Sequence, residues 1–303
     1  MPIPVVLDTD IGTDVDDVWA LAFLLRCPEV DIKLITTATG DIGYRAKLVA
    51  KILKAVGRED IPIGVGIPLD ATPRTHTEWL DDFSLADYQG DVLRDGVGAL
   101  CECVESSSDP VTVLAIGPLP NIAAALARSP ELTANARFVG MHGSLYTGYL
   151  GADKPAREYN VRLHALACQA VFKAPWDKTI TPLDTCGDVI LSEESFARVA
   201  ASADPLAQIV MANHIGWAKA TRDWPLSKQI NLRVQSSILF DCVAVYLAFA
   251  ETWLHMQRLP IVVTEDGKTL VDDAGNDVNC AVSWENRQAF DELLVERLCG
   301  DSQ

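Results

Sequence analysis

Basic residues are scarce in this chain of 303 residues, with 25 Lys and Arg against 42 Asp and Glu and a formal charge of −17. Such a surface repels a phosphate backbone or an anionic membrane, so neither nucleic acid nor a lipid surface is an expected partner. A neutral small molecule or a cation fits the charge better. Long apolar runs are also missing, because no window approaches the roughly 18 uninterrupted apolar residues of a spanning helix. The opening MPIPVVLDTD has no basic region and only a short apolar stretch, so a secretory leader is not expected. The eight cysteines form no C-x-x-C pair and no regular framework, and no His pairs with them at ligand spacing. This excludes a structural zinc site and a disulfide scaffold, and points to reduced thiols in a cytoplasmic protein. Low-complexity linkers and internal repeats are absent.

What remains is a chain with 49% hydrophobic residues, enough for a large core. Short β-branched runs appear at IPVVLD, IKLITTAT, IPIGVG, VTVLAIG and ARFVGM. Helix-like stretches with apolar residues at i, i+3 and i+4 lie between several of them, at 16–26, 43–57 and 119–128. The strands are nearly continuous apolar runs, as expected when helices cover both faces of a sheet. Strand, helix, strand in repetition predicts an α/β fold with an open, mostly parallel, Rossmann-like sheet. The second half is more helical, with candidates at 163–173, 193–201, 204–222, 237–256 and 284–299 and a strand pair at 260–271 turning at EDGK. A long polar loop at 67–98 has the character of a lid. A single domain over residues 1–303 is expected.

Five aspartates, Asp8, Asp10, Asp14, Asp16 and Asp17, fall within ten residues of VVLDTDIGTDVDDVWAL, at a strand end and a helix start. Ligands of open parallel sheets sit beyond the carboxyl ends of the strands. A helix dipole favours a carboxylate at its N-terminus by only about 0.3–1 kcal/mol, which accounts for one or two acids but not five. A hard divalent cation with oxygen ligands would relieve the repulsion. The spacing is not that of an EF-hand, and no phosphate-binding G-x-x-x-x-G-K-[ST] loop is present.

The stretch LDTDIGTDVDDVWAL resembles the D-x-D-x-G-x-D-D opening of the calcium-dependent nucleoside hydrolases, the inosine–uridine preferring group of nucleoside N-ribohydrolases. ITTATGD (35–41), VLAIGPLPNIAAAL (113–126), REYNV (157–161), TPLDTC (181–186) and FDCVAVYLA (240–248) are similar to further family segments in the same order. Together they cover about residues 3 to 250. The resemblance implies an enzyme that cleaves ribonucleosides to ribose and free base, with calcium and with a water activated by Asp10. It implies metal contacts from Asp10, Asp17, Asp241 and the carbonyl of Pro120. Ribose contacts are implied for Asp16, Asp41, Glu158, Asn160 and Asp241. Two extra residues separate Asp10 from the Asp16–Asp17 pair, so Asp14 could take one of these roles. A homodimer or homotetramer is the assembly implied.

Departures from the family pattern matter. Asp41 stands where Asn is usual, and a carboxylate accepts but cannot donate. Phe240 stands where some members carry an imidazole acid. His142, in GMHGS, is near the site by motif order and is a candidate catalytic acid, with a structural role as the alternative. His76 and Trp79 could close over a base from the long loop, or be an exposed His and an anchoring Trp. Trp217 and Trp224 could stack on a base or lie in the core. His164, His214 and His255 are read as structural, and no Cys has an evident His partner for nucleophilic work. Two rival readings are a catalytically weak hydrolase relative that binds calcium and a ribosyl ligand, and a phosphatase of the haloacid dehalogenase type. The second needs a later Ser/Thr, Lys and acidic pair that the sequence does not offer in order.

Overall fold

The computed structural model describes residues 1–300. From its start the chain alternates strand and helix: β1 (Ile3–Thr9), α1 (Asp16–Leu25), β2 (Val30–Thr37), α2 (Ile42–Ala55), β3 (Ile63–Val65), α3 (Thr77–Leu80), β4 (Val92–Leu93), α4 (Gly96–Ser106), β5 (Val111–Ala115), α5 (Pro120–Arg128) and β6 (Ala136–Met141). The second half adds α6 (Tyr159–Leu163), α7 (Ala165–Lys173), β7 (Lys178–Thr181), α8 (Leu183–Cys186), α9 (Glu193–Ala201), α10 (Pro205–Ala220) and α11 (Phe240–Leu247). It closes with β8 (Leu254–Val263), β9 (Thr269–Val271), β10 (Asn276–Trp284) and α12 (Arg287–Cys299).

All ten strands join one sheet in the order β4-β3-β2-β1-β5-β6-β7-β10-β8-β9. Pairing is parallel from β4 to β7 and on to β10, whereas β8 runs antiparallel to both its neighbours, β10 and β9. Alternation along the strands feeds two cores. Val5 and Leu7 of β1 pack with α1, α2, α10, α11 and α12, while Val6 packs with α4, α5 and α7 on the other face. The expected α/β architecture is present. No helix among the described residues is long and apolar enough to cross a membrane.

Several expected boundaries differ. The helix expected over 237–256 stops at Leu247, and β8 begins at Leu254. That stretch carries neither Gly nor Pro to mark the stop. β10 was hidden in a polar stretch, because only Val278, Cys280 and Ala281 of its nine residues are firmly buried. The expected loop 67–98 contains α3 and β4 and runs into α4, whose two glycines disguise it. Nor is this segment a free lid. Thr75 Oγ1 donates to the carbonyls of Gly12 and Thr13, and Lys51 Nζ donates to Leu80 O at 3.0 Å.

β1 is the strand from which the chain first moves outward, through β2 to β4, before returning to its other side as β5. That reversal opens a crevice beyond the carboxyl end of β1, where the acidic cluster begins.

Candidate active site

The acidic cluster folds inward. Asp10 follows β1, and Asp16 and Asp17 are the first residues of α1. α11 packs beside α1 and brings Asp241, its second residue, to the same point. One carboxylate oxygen each from Asp16, Asp17 and Asp241 lies within 4.8 Å of the others, and all three residues are buried. Thr9 Oγ1 donates to Asp17 Oδ1. Burial first, then repulsion from neighbouring aspartates, Asp10 and Asp14 among them, pushes Asp16, Asp17 and Asp241 well above the usual carboxylate range. Oxygen-only donors of high negative charge in a dry site are the chemistry of a hard divalent cation, so these residues fit one.

Above the carboxylates lies a cavity of about 380 Å³, within the range of small-molecule sites. Asp10, Thr13, Asp14, Asp16, Asp17, Glu158, Asn160 and Asp241 supply its polar wall. Pro73, Ile116, Met141, Tyr149, Tyr159, Trp224, Leu226 and Phe240 supply the rest. The backbone comes close here for a reason. A Cβ on Gly117 would stand 2.6 Å from Asp10 Oδ1 and 2.9 Å from Asp10 N, so only glycine lets the chain after β5 pass Asp10.

Glu158 caps α6: Oε1 accepts from the Asn160 amide at 2.6 Å, and Oε2 accepts from Gly143 and Val161 at 3.0 and 3.1 Å. Burial nonetheless raises its pKa to about 7. Asn160 Nδ2 donates to the carbonyls of Ile116 and Met141 at 3.2 and 3.1 Å. Its Oδ1 accepts no hydrogen bond among the described residues, which leaves an oriented acceptor at the cavity wall. Asp14 also lines the cavity, and burial lifts its pKa to about 6.

Three expected site residues stand elsewhere. His142 is fully buried on the opposite face of the sheet. Along β6, Val139 and Met141 face the cavity side, while Phe138 and His142 face the other, as a two-residue period requires. The ring lies against Phe138 and Phe172, and Nε2 faces Gly117 O at 3.1 Å. Burial lowers its pKa to about 3, so it stays neutral. The expectation of a catalytic acid at His142 is corrected on this ground. Asp41 caps α2, accepting from Tyr44 N at 3.0 Å, and pairs with Arg74 at 3.2 Å outside the cavity. Its implied ribose contact is therefore not formed by this arrangement. Pro120 is buried at the start of α5 and does not line the cavity; of that segment Ile116 does. Its neighbour Asn121 instead ties the strand ends together, donating to Asp8 Oδ1 at 2.8 Å and Thr37 O at 3.1 Å.

The structure also adds residues. Arg45 is 1% exposed and is the cation that stands nearest Asp10, with Nη2 3.7 Å from its carboxylate. It donates to Ile11 O at 2.8 Å, Thr39 O at 3.0 Å, Thr13 Oγ1 at 3.2 Å and Thr72 Oγ1 at 3.0 Å. Its signal in the sequence was an arginine on the apolar stripe of α2, in line with Leu48, Val49 and Ile52. Burial raises the Asp10 pKa and Arg45 opposes that rise. His76 is neither exposed nor over the cavity. It is buried, with Nδ1 2.8 Å from Asn213 Oδ1 and Nε2 3.1 Å from Asp14 O, and so pins the acidic loop to α10. Trp224 lines the cavity, whereas Trp217 is buried edge-on against it. Burial pushes the Cys168, Cys186 and Cys242 thiols up, which suits packing and not nucleophilic attack.

The chain as a whole is similar to known proteins. A pyrimidine-specific ribonucleoside hydrolase RihA from Citrobacter koseri is 29% identical over 98% of both chains. One from Escherichia coli is 28% identical over 98% of this chain and 99% of the relative. Among solved structures, a plant nucleoside hydrolase, PpNRh1, superposes with a TM-score of 0.84 at 20% identity over 99% of both chains. A purine-preferring ribonucleoside hydrolase from Gardnerella vaginalis gives 0.80 at 20% identity over 98% of both. The inosine-uridine preferring nucleoside hydrolase family model matches residues 5–292, and the chain belongs to that family of N-glycosyl hydrolases.

Proposed function

We propose that the protein hydrolyses ribonucleosides to ribose and free base on an acidic floor that holds calcium. The observation that carries this reading is the convergence of Asp16, Asp17 and Asp241 within 4.8 Å, at the base of a cavity with an apolar roof. Asp17 and Asp241 of this cluster would hold the cation together with Asp10, leaving Asp16 for the ribose, and Ile116, which lines the cavity, takes the place given to Pro120. When bound, the cation supplies the charge that lowers the pKa of a water and orients it.

The remaining work falls to the chain. Asp10 takes the proton of the attacking water as general base, and Arg45 beside it favours the ionised form that a base needs. Asp16, Glu158, Asn160 and Asp241, with Asp14 added, grip the ribose hydroxyls from the polar wall. That grip orients the anomeric carbon and favours the charge that builds on the sugar as the bond breaks. Trp224, Leu226 and Phe240 receive the base and exclude water. The net charge of −17 favours neutral nucleosides over nucleotides. The whole chain would act as one domain in a cytoplasmic homodimer or homotetramer.

The test is a panel of purine and pyrimidine nucleosides assayed for released reducing sugar, with calcium and after chelation. Calcium-dependent ribose release is expected. No release from any nucleoside would overturn the reading.

A further inference from the structure

Phe240 cannot donate a proton, and His142 is sealed on the other face, so the departing base lacks an imidazole partner. Tyr149 lines the cavity on the loop after β6. Its ring stands edge-on to Phe240, with centroids 5.8 Å apart and planes at 87°. Its hydroxyl accepts the Tyr159 amide at 3.0 Å, so one lone pair is occupied. No acceptor for the hydroxyl proton occurs among the described residues, and that proton remains to be given. Burial pushes the phenol well above its usual range, so it stays protonated and acts as a donor, not a base.

We propose that the Tyr149 hydroxyl hydrogen-bonds the leaving base, at a ring nitrogen or carbonyl oxygen, and stabilises the charge it carries away. This rests on the nucleoside hydrolase reading. As the C1′–N bond breaks, its electron pair moves to the base. The water oxygen bonds to C1′ and its proton passes to Asp10. Tyr149 keeps its own proton and shares it with the electron-rich base, which later takes a proton from solvent.

Tyr149→Phe tests this with two substrate types. A nucleoside leaves a poor nitrogen anion, whereas p-nitrophenyl β-D-riboside leaves a phenolate stable without a donor. Loss of a single donor aimed at developing charge typically costs about 10²-fold in kcat. Tyr149→Phe is expected to lose that factor on inosine or uridine while its nitrophenyl kcat is unchanged. A merely structural role, through the lost Tyr159 amide contact, would lower both substrates together, and that result would overturn the proposal. So would a selective nucleoside loss in Tyr159→Phe or Trp224→Phe that Tyr149→Phe lacks. Thermal unfolding of each variant checks that it is folded. A parent that cleaves neither substrate overturns the hydrolase reading, and this proposal with it. A parent that cleaves both, with an unchanged ratio in Tyr149→Phe, overturns this proposal alone.

Discussion

Asp10, Asp16, Asp17 and Asp241 stand at the end of a strand or the start of a helix, whereas Pro73, Tyr149, Trp224 and Leu226 stand on loops and turns between elements. The floor of the cavity is thus fixed by the sheet and by two helix N-termini. The roof is fixed by segments that can change without disturbing the core. This division separates two tasks. On the proposed reading the floor would handle the attacking water and the sugar, which is the same in every ribonucleoside, and the roof would meet the base, which differs.

The largest effect should come from breaking the floor. In Asp17→Ala the remaining carboxylates face each other with one ligand fewer, so divalent cation and activity should disappear together. Metal analysis beside a ribose-release assay checks this, and a metal-free variant with parental activity would separate the floor from the chemistry. Next is the sugar. A site built to hydrogen-bond a hydroxyl rejects an analogue lacking it by as much as about 10⁴-fold. kcat/KM for 2′-deoxyinosine should therefore fall far below that for inosine; equal values would mean that the polar wall does not grip the ribose.

The roof should respond more weakly and more selectively. Base stacking on an aromatic ring is worth about 1–3 kcal/mol. Trp224→Ala should then raise KM by amounts that depend on the base, and leave the preference for ribose over deoxyribose intact. A uniform loss across bases, or a lost ribose preference, would erase the distinction between floor and roof.

The smallest effect concerns a residue that belongs to neither. His142 has its pKa lowered from 6.5 to about 3 by burial. The unfolded chain binds a proton there at a pH where the folded chain does not. The stability this residue contributes is thus complete above pH 6.5 and falls as the pH drops toward 3. His142→Gln should keep the activity and show a shallower loss of stability than the parent over that window, as read from urea unfolding at several pH values. A variant that keeps its fold but loses ribose release would return His142 to the site.

The floor was legible in the sequence because local rules place it. A β-branched run ending in Asp, followed by acids opening a helix, puts Asp10, Asp16 and Asp17 at a strand's carboxyl end. The family segments brought Asp241, Glu158 and Asn160 to the same cavity. The sheet was legible for a similar reason, since its parallel strands are buried on both faces and read as apolar runs. Residues whose position depends on a single step of register were not legible. His142 lies one residue beyond Met141, and that step moves it through the sheet. Asp41 lies close to the site in sequence, yet it turns out to cap α2 and meet Arg74. Tyr149 and Trp224 reach the site only through tertiary packing, which no local pattern specifies, whereas Arg45 was marked only as an arginine on the apolar stripe of α2.

The most direct test of the account is calcium binding coupled to catalysis. Protein stripped with a chelator would be titrated with calcium in a calorimeter, and the same samples assayed for ribose release from inosine and uridine. The account predicts that stripped protein is inactive, that a single calcium binds per chain, and that activity returns in step with its binding. Full activity in the stripped protein, or no calcium binding while ribose is still released, would contradict it.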